Sequence, residues 1–270
     1  MQLSVNGKSA YLGTLGRDLD AAKPTVVFVH GAALDHTVWT LFARYFARHG
    51  YNTIAVDLPG HGRSEGPPLD RVEALSDWLG AALDTAGLGE TILIGHSLGS
   101  LVCLHHAAST ERVSALGLVG IGLPMAVTDV LMNAAKENRH DAFDMLTIWG
   151  HSPKAQLGGF SSPGIWMTGS QLKLNERTAP GVLYADLTAC NEYELGLSDA
   201  GKVACPTSLV LGQHDMMTPV RATRELGATV AQVNTTVIKG CGHALMAEQP
   251  NQVLDALIAL ARDAAAPAAA

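Results

Sequence analysis

The sequence predicts an α/β fold in which a mostly parallel sheet carries helices on both faces and a helical insertion interrupts the repeat. Short continuous runs of valine, isoleucine and leucine alternate with amphipathic segments of helical period, a pattern typical of strands buried on both faces. Such alternation implies right-handed crossovers between parallel strands. Between about residues 123 and 190 the alternation stops, and helical periods with Gly, Ser and Pro breaks replace it.

The first two elements are expected to run antiparallel. The segments LSVNG and AYLGTLG near the start predict a hairpin at the edge of the sheet. After it, each apolar run is closed by glycine or a turn and is followed by a segment of helical period. The runs that contain the predicted strands are TVVFVHG (25–31), NTIAVDLPGHG (52–62), TILIGHS (91–97), VSALGLVGIG (113–122), TSLVLGQHD (207–215) and TTVIKGCGH (235–243). The predicted helices are 37–50, 71–88, 98–109, 220–229 and 251–265.

The domain organisation follows from where this alternation holds. We expect residues 1–122 and 191–265 to form the α/β core and residues 123–190 to form a helical cap. The low-complexity end DAAAPAAA predicts that residues 266–270 are a disordered tail.

The composition limits the classes of function. Of 270 residues, 47% are hydrophobic and 16% are charged, which is typical of a compact globular protein. A net charge of −7 without a run of lysine or arginine argues against a nucleic-acid partner. No stretch approaches the roughly eighteen apolar residues of a membrane span, and the start lacks the apolar region of a secretory signal.

The cysteines predict neither a disulfide framework nor a zinc site. Cys103, Cys190, Cys205 and Cys241 are scattered without CxxC spacing. They are expected to be reduced thiols in a cytoplasmic protein. We expect no cofactor and no metal, and the sequence leaves the oligomeric state open.

A serine lies at the junction of a predicted strand and a predicted helix, in the stretch TILIGHSLGSLVCLHH (91–106). A sharp strand-to-helix turn strains the residue at its apex and pushes that side chain outward, which here exposes Ser97. Strand and helix come close at such a turn, and Gly95 and Gly99 allow it. The helix N-terminus supplies free N–H groups and a positive dipole end. The pattern predicts a nucleophile elbow.

A serine nucleophile needs a base, because a free hydroxyl is weakly nucleophilic at neutral pH. Asp215 follows the predicted strand at 207–212, and His243 follows the strand at 235–239. The carboxyl ends of parallel strands share one edge of the sheet, so these side chains can converge on Ser97. The order Ser, Asp, His is a known triad order. We expect His243 to take the Ser97 proton and Asp215 to orient the imidazole.

Two neighbouring residues are weaker candidates for this chemistry. His214 directly precedes the predicted acid, so we favour a loop role for it over the role of base. A Cys–His pairing of Cys241 with His243 is disfavoured, since residues two apart seldom face each other and no elbow surrounds Cys241.

The loop after the strand at 25–29, HGAALDHTVW, is expected to supply half of an oxyanion hole. Gly31 and two small residues let the backbone approach a bound substrate closely. We predict that the N–H groups of Ala32 and Leu98 are the two donors, with Ala33 as the alternative to Ala32. His30 is expected to tie down the loop.

Five motifs together resemble the α/β-hydrolase superfamily, in the group with a cap inserted after the sixth strand. They are HGAALDHTVW, DLPGHGRS, GHSLGS, GQHDMMTP and GCGHALMAEQP, in the family's order over residues 30–250. The resemblance implies an eight-stranded, mostly parallel sheet, with Ser97, Asp215 and His243 as the triad and the oxyanion donors already named. In DLPGHGRS, structural roles are favoured for Asp57, His61 and Arg63.

Departures from relatives of this fold narrow the activity. Haloalkane dehalogenases and epoxide hydrolases use an aspartate where this chain has Ser97, and proline iminopeptidases carry an HGGPG-type loop where this chain has HGAA. The expected reaction is hydrolysis of a carboxylic ester through an acyl-serine. Lactone, thioester or carbon–carbon bond cleavage, cofactor-free perhydrolysis and a low-turnover small-molecule receptor remain open. Activity should rise with pH around the ordinary histidine pKa of about 6.5.

The cap is expected to shape an apolar pocket for a small-to-medium substrate, because Met and Trp make an adaptable apolar lining. Some of these residues are expected to pack the cap against the sheet instead. The candidates are Ala33, Met125, Met132, Met145, Trp149, Trp166 and Met167.

Overall fold

One eight-stranded sheet organises the computed structural model, which describes residues 1–159 and 166–265. The expected disordered tail, 266–270, lies outside these residues. Strands β1 to β8 are, in chain order, Gln2–Val5, Lys8–Gly13, Thr25–Val29, Asn52–Val56, Thr91–His96, Val113–Val119, Thr207–Gly212 and Val233–Ile238. Across the sheet their order is β1-β2-β4-β3-β5-β6-β7-β8. Strands β3 to β8 pair in parallel, which confirms the predicted fold class.

Helices of the α/β core pack on both faces of this sheet. Helices α1 to α12 are Thr40–Arg48, Val72–Thr85, Leu98–Ser109, Asp129–Lys136, Asp141–Gly150, Pro153–Gln156, Met167–Asn175, Val182–Glu192, Gly196–Ala200, Arg224–Thr229, Leu245–Glu248 and Pro250–Ala265. Two 3₁₀ turns, His36–Trp39 and Val220–Thr223, lead into α1 and α10. None of the helices that the structure describes is both long and apolar enough to cross a membrane.

The edge hairpin predicted from LSVNG and AYLGTLG is present. β1 and β2 pair antiparallel with Val5 opposite Lys8, so Asn6 and Gly7 form a two-residue turn. Both turn residues have positive φ, 50° and 77°, which suits the right-handed twist of a hairpin and favours an Asn-Gly sequence. β2 then joins the sheet through antiparallel pairing with β4.

Alternate residues of the strands feed two separate apolar cores. On β3, Val27 and Val29 belong to the core under α2 and α3, whereas Val26 and Phe28 belong to the core under α1 and α12. All five side chains of β3 are buried. This explains why the strand sequence is continuously apolar and does not alternate with polar residues.

Helices α4 to α8 lie between β6 and β7 in the chain, where the sequence predicts the cap. A third apolar cluster joins α4, α5 and α8 and includes Ala33 from the loop after β3. The predicted boundary at residue 190 falls inside α8, because Val182–Glu192 is one continuous helix. We therefore define the cap as the described part of residues 123–192.

The connections after β3, β5, β7 and β8 all leave the carboxyl edge of the parallel sheet. β4 lies on one side of β3 and β5 lies on the other, so the winding of the chain reverses between β3 and β5. Such a reversal opens a crevice at the carboxyl ends of the strands. The candidate site lies there, under the cap.

Candidate active site

Ser97 occupies the turn between β5 and α3 in a strained backbone conformation. Its φ is 53° and its ψ is −119°, a combination that residues other than glycine rarely adopt. A Cβ placed on Gly95 would overlap the Gly99 carbonyl, and a Cβ on Gly99 would overlap the Val29 carbonyl. The two glycines therefore permit the close strand–helix approach that the motif predicted.

Asp215 and His243 meet at the ends of β7 and β8. The Nδ1 atom of His243 lies 2.7 Å from Oδ2 of Asp215. A carboxylate accepts, so Nδ1 carries the proton and Nε2 is left as the acceptor nitrogen. Ser97 and His243 line the same small cavity. The His243 ring packs on Gly120 just after β6, where a Cβ would lie 3.1 Å from the ring, so a side chain there would crowd it.

The Asp215 carboxylate is held in place by its own loop. Oδ1 accepts from the backbone N–H of Met217 and Thr218, at 2.9 and 2.8 Å, and Oδ2 accepts from the Thr218 hydroxyl at 2.7 Å. Burial alone would raise the pKa of Asp215, but the His243 ring and the Thr218 hydrogen bonds outweigh it and lower that pKa to about 2. Asp215 is therefore ionised at neutral pH. Sequence reasoning did not identify Thr218, although it stands in the GQHDMMTP motif.

Ala32 and Leu98 are placed as expected from the sequence, one in the loop after β3 and the other at the first position of α3. Within the described chain neither backbone N–H donates a hydrogen bond. A Cβ on Gly31 would lie 2.9 Å from His96 Nδ1 and 3.1 Å from Ser97 Cβ, so this loop packs directly on the elbow. Ala32 itself lines both cavities that contain Ser97.

His30 fixes the same loop from beneath, as predicted. It is completely buried, its Nδ1 lies 2.8 Å from the Gly31 carbonyl, and its Nε2 accepts from the Leu58 N–H at 3.1 Å. Burial and the neighbouring His61 lower the pKa of His30 to about 4. The ring is therefore neutral at pH 7 and can act as donor and acceptor at once.

Ala33 is held by the cap and does not line a cavity that reaches Ser97. Its φ is 53°, its N–H donates to Asp186 Oδ2 at 2.8 Å, and its carbonyl accepts from the Thr178 hydroxyl at 3.1 Å. The alternative role of Ala33 as oxyanion donor is thus wrong, because its N–H is already engaged. Its expected place in the pocket lining is also wrong, since it lines neither cavity at Ser97 and packs in the third apolar cluster instead.

Asp186, on α8, joins three parts of the molecule. The same Oδ2 that accepts from Ala33 lies 2.9 Å from Nε2 of His61, in the loop after β4, and both side chains are buried. Burial alone would lower the pKa of His61, but the Asp186 carboxylate outweighs it and raises that pKa. Sequence reasoning missed Asp186, because it stands in a helix without a motif and its partners lie 125 and 153 residues away.

The remaining residues of DLPGHGRS are engaged in structural contacts. Asp57 accepts from the His36 backbone N–H at 2.7 Å and from the Arg63 N–H at 2.9 Å, and the His36 ring lies 2.8 Å from the carboxylate. The Arg63 guanidinium stacks on Tyr11 at 4.0 Å. Ligand atoms of Asp35, His36 and Asp57 lie within 4.8 Å of one another, but Asp35 accepts from the Thr37 N–H at 2.9 Å, and with the bonds above this accounts for the grouping.

Neither His214 nor Cys241 is a better candidate than His243 and Ser97 for the roles of base and nucleophile. His214 is exposed, and its backbone N–H donates to the Cys241 carbonyl at 2.7 Å. Cys241 is completely buried, and burial raises its pKa strongly, so it is a thiol at neutral pH.

Two cavities reach Ser97 from different sides. The larger has a volume of about 250 Å³ and an apolar lining that includes Met125, Leu131, Trp149, Leu187 and Met217. The smaller has about 40 Å³ and is lined by His243, His151 and Asn175 among others. A third cavity of about 300 Å³ adjoins the smaller one, with which it shares Leu34, His96, Gln171 and Ala244. We refer to these as the apolar, polar and outer compartments.

The predicted pocket residues divide between these places. Met125 and Trp149 line the apolar compartment, and Met167 lines the outer one. Met132 and Met145 line neither cavity at Ser97, because they pack against the apolar cluster inside the cap. Trp166 is 69% exposed and also lies outside both. These last three positions correct the sequence-based prediction, which could not tell the inner face of a cap helix from its core or outer face.

Comparison with known proteins agrees with this architecture. The model of the Alpha/beta hydrolase family matches residues 26–256. A pimeloyl-(acyl-carrier protein) methyl ester esterase of Nitrosomonas europaea is 25% identical, over 88% of this chain and 95% of that protein. An (E)-2-((N-methylformamido)methylene)succinate hydrolase of Acinetobacter baylyi is 24% identical, over 86% and 88%.

Similarity extends to solved structures. The enol-lactonase from Burkholderia xenovorans LB400 superposes with a TM-score of 0.85 at 17% identity, covering 97% of this chain and all of that one. At this identity the likeness shows the fold alone. The family match, in contrast, covers residues 26–256, which is most of the chain. The five motifs occur in the family's order, and the residues after the strand ends meet as described above. The chain therefore belongs to the alpha/beta hydrolase family.

Proposed function

We propose that this protein is a serine hydrolase that cleaves a small-to-medium, mainly apolar carboxylic ester through an acyl-serine intermediate. The observation that carries the proposal is the strained Ser97 beside an apolar cavity, with the hydrogen-bonded pair His243–Asp215 at the same sheet edge. The relative from Nitrosomonas europaea, a methyl ester esterase, supports a carboxylic ester as the substrate class.

In the proposed first step, Ser97 Oγ attacks the ester carbonyl while Nε2 of His243 takes its proton. The carbonyl oxygen becomes an oxyanion beside the free N–H groups of Ala32 and Leu98 and the positive end of α3. Ionised Asp215 stabilises the imidazolium that forms. His243 then returns the proton to the departing alcohol, which leaves the acyl group on Ser97.

In the second step, water replaces the alcohol and follows the same route in reverse. His243 takes a proton from the water, the hydroxide attacks the acyl-serine, and Ser97 leaves with the proton. The product acid then departs. Lactonase, carbon–carbon hydrolase and perhydrolase reactions would use the same groups, so these classes are separated by substrate and not by geometry.

The experiment that tests the proposal is steady-state hydrolysis of p-nitrophenyl esters from acetate to decanoate, with Ser97→Ala beside the wild type. Sustained turnover that the variant loses, with an optimum at a short or medium acyl chain, is the expected result. Turnover that survives in Ser97→Ala would overturn the proposal. A single turnover that ends in a stable covalent adduct would instead indicate a small-molecule receptor.

A further inference from the structure

The polar compartment differs from the apolar one in the polar atoms that its residues leave unpaired. Asn175 and His151 both line it, and each is only 1% exposed. The Asn175 Nδ2 and the His151 Nε2 have no hydrogen-bond partner within the described chain. A third unpartnered atom, Nδ1 of His96, also belongs to a lining residue, but it faces Gly31, where a Cβ would lie 2.9 Å from it. A buried polar group without a partner costs about 1–3 kcal/mol, so the free Asn175 and His151 atoms in a cavity next to Ser97 require an explanation.

The hydrogen-bonding capacity of the two groups is fixed by their other contacts. The Asn175 carbonyl oxygen accepts from Gln171 Nε2 at 2.9 Å, which leaves the amide nitrogen as a free donor. The His151 Nδ1 lies 2.8 Å from the Thr147 carbonyl, which can only accept. Nδ1 therefore carries the proton, and Nε2 is the free acceptor of that tautomer. A free donor and a free acceptor together match one hydroxyl group.

The compartments can be assigned to the two halves of an ester from the position of His243. His243 must pass a proton to the leaving oxygen, so the alcohol half lies on its side of Ser97. Of the two cavities at Ser97, the polar one is lined by His243 and the apolar one is not. The acyl half then occupies the apolar compartment, and the alcohol half enters the polar one and extends towards the outer compartment.

The charge of these walls narrows the chemistry further. No lysine, arginine, aspartate or glutamate lines either compartment at Ser97, as far as the described residues go. A carboxylate, phosphate or ammonium group there would lose its hydration without a counter-ion, which is costly. The group that fits is therefore neutral.

From these observations we propose that the physiological ester has a neutral alcohol half with a second hydroxyl, which Asn175 and His151 bind beside the leaving oxygen. The inference rests on the proposed function and adds the substrate class: an apolar acyl group esterified to a small diol or a larger polyol. Asn175 donates to the hydroxyl oxygen, and the hydroxyl proton points to His151 Nε2.

The test compares two esters that differ by one hydroxyl in place of one methyl, 2-hydroxyethyl butanoate and propyl butanoate. We expect the wild type to favour the hydroxyethyl ester about tenfold in kcat/KM, since the propyl group leaves both polar groups unpaired. The acyl side should show the opposite order, with propyl 3-hydroxybutanoate cleaved more slowly than propyl 3-methylbutanoate. Equal rates for the first pair would overturn the inference.

Asn175→Leu removes the donor with little change in side-chain size. The variant should lose the preference for the hydroxyethyl ester, while propyl butanoate, which has no second hydroxyl, is still hydrolysed. Thr147→Val is the matched control, because its hydroxyl is also buried and unpartnered but Thr147 lines neither compartment. A preference that survives in Asn175→Leu would show that Asn175 does not bind the hydroxyl and would overturn the inference.

Binding to Ser97→Ala, measured by NMR titration, separates this inference from the proposed function. Should the wild type hydrolyse neither ester, a tenfold tighter binding of 2-hydroxyethyl butanoate than of propyl butanoate would still support the hydroxyl site. Equal binding would overturn it. Turnover of both esters at equal rates, lost in Ser97→Ala, would uphold the proposed function and reject the hydroxyl site alone.

Discussion

The sheet edge and the cap hold the candidate site by different means. At the sheet edge, each group stands within a few residues of a strand end, and its contacts come from its own loop or the next one, as for Asp215, Thr218 and His243. The cap attaches by contacts between residues far apart in the chain. Asp186 reaches Ala33 and His61, and the Ala244 N–H donates to the Gly150 carbonyl. The candidate catalytic residues are thus positioned by local geometry, whereas the cap helices are held by contacts between residues distant in the chain.

The largest expected effect lies at the sheet edge. Asp215→Asn should lower kcat by about 10⁴-fold with little change in KM, because an amide favours the wrong His243 tautomer. Thr218→Val, which removes one hydrogen bond to Asp215 and a 3.2 Å contact with Nδ1 of His243, should cost far less. Ester hydrolysis measured in the two variants checks this order. Similar losses in both would mean that the loop as a whole, and not the Asp215 charge, is what matters.

A fall in pH should lower the stability contributed by the sheet edge and raise the stability contributed by the attachment of the cap. Burial, with a neighbouring histidine in each case, lowers the pKa of His30 to about 4 and of His96 to about 3. Their stabilising contribution is present above pH 6.5 and is lost as the pH falls, by roughly 2 kcal/mol each at pH 5. The pKa of His61 is raised, so the His61–Asp186 pair contributes fully below pH 6.5 and less as the pH rises through that pKa.

Urea unfolding at pH 7 and pH 5 measures the balance, and we expect the wild type to be less stable at pH 5. His96→Gln keeps a donor for the His243 carbonyl, which His96 Nε2 approaches at 3.0 Å, but it no longer titrates. Its loss of stability between pH 7 and pH 5 should be smaller than that of the wild type by roughly 2 kcal/mol, which is the share of His96. An unchanged loss would show that His96 is not responsible.

Asp186→Ala tests the attachment of the cap. Removing the carboxylate leaves the Ala33 N–H and a buried histidine without their partner, which should lower the free energy of unfolding by about 3 kcal/mol. Asp84→Asn is the control, because the Asp84–Arg112 pair is exposed and should contribute less than about 1 kcal/mol. Equal changes in the two variants would refute the view that Asp186 ties the cap to the core.

The smallest expected effect concerns the cap side of the apolar compartment. Met125→Trp fills part of the cavity of about 250 Å³ and should shift the acyl-chain optimum to shorter esters, with a loss of about tenfold for the longer ones. Met145→Leu is the matched control, because Met145 packs inside the cap and lines neither cavity at Ser97. Kinetics over the p-nitrophenyl series would reveal an unshifted optimum if the acyl chain lies elsewhere.

The difference between the regions also explains what the sequence could reveal. The strands were predictable from apolar runs, and Ser97, Asp215 and His243 were placed by their positions after three of them. In the cap, the same apolar periodicity describes Trp149, which lines the apolar compartment, and Met145, which packs inside the cap. The roles of Asp186 and Asn175 depend on partners distant in sequence or on an unfilled cavity, and neither leaves a local signal.

The four cysteines give the folded chain a useful labelling property. All four are free, and burial raises the pKa of Cys205 to about 11 and those of Cys103, Cys190 and Cys241 further still. Each is therefore a protonated thiol at neutral pH and a poor nucleophile. A fluorophosphonate added to the native protein should then attach once, at Ser97, and the intact mass would count the competent molecules in a preparation.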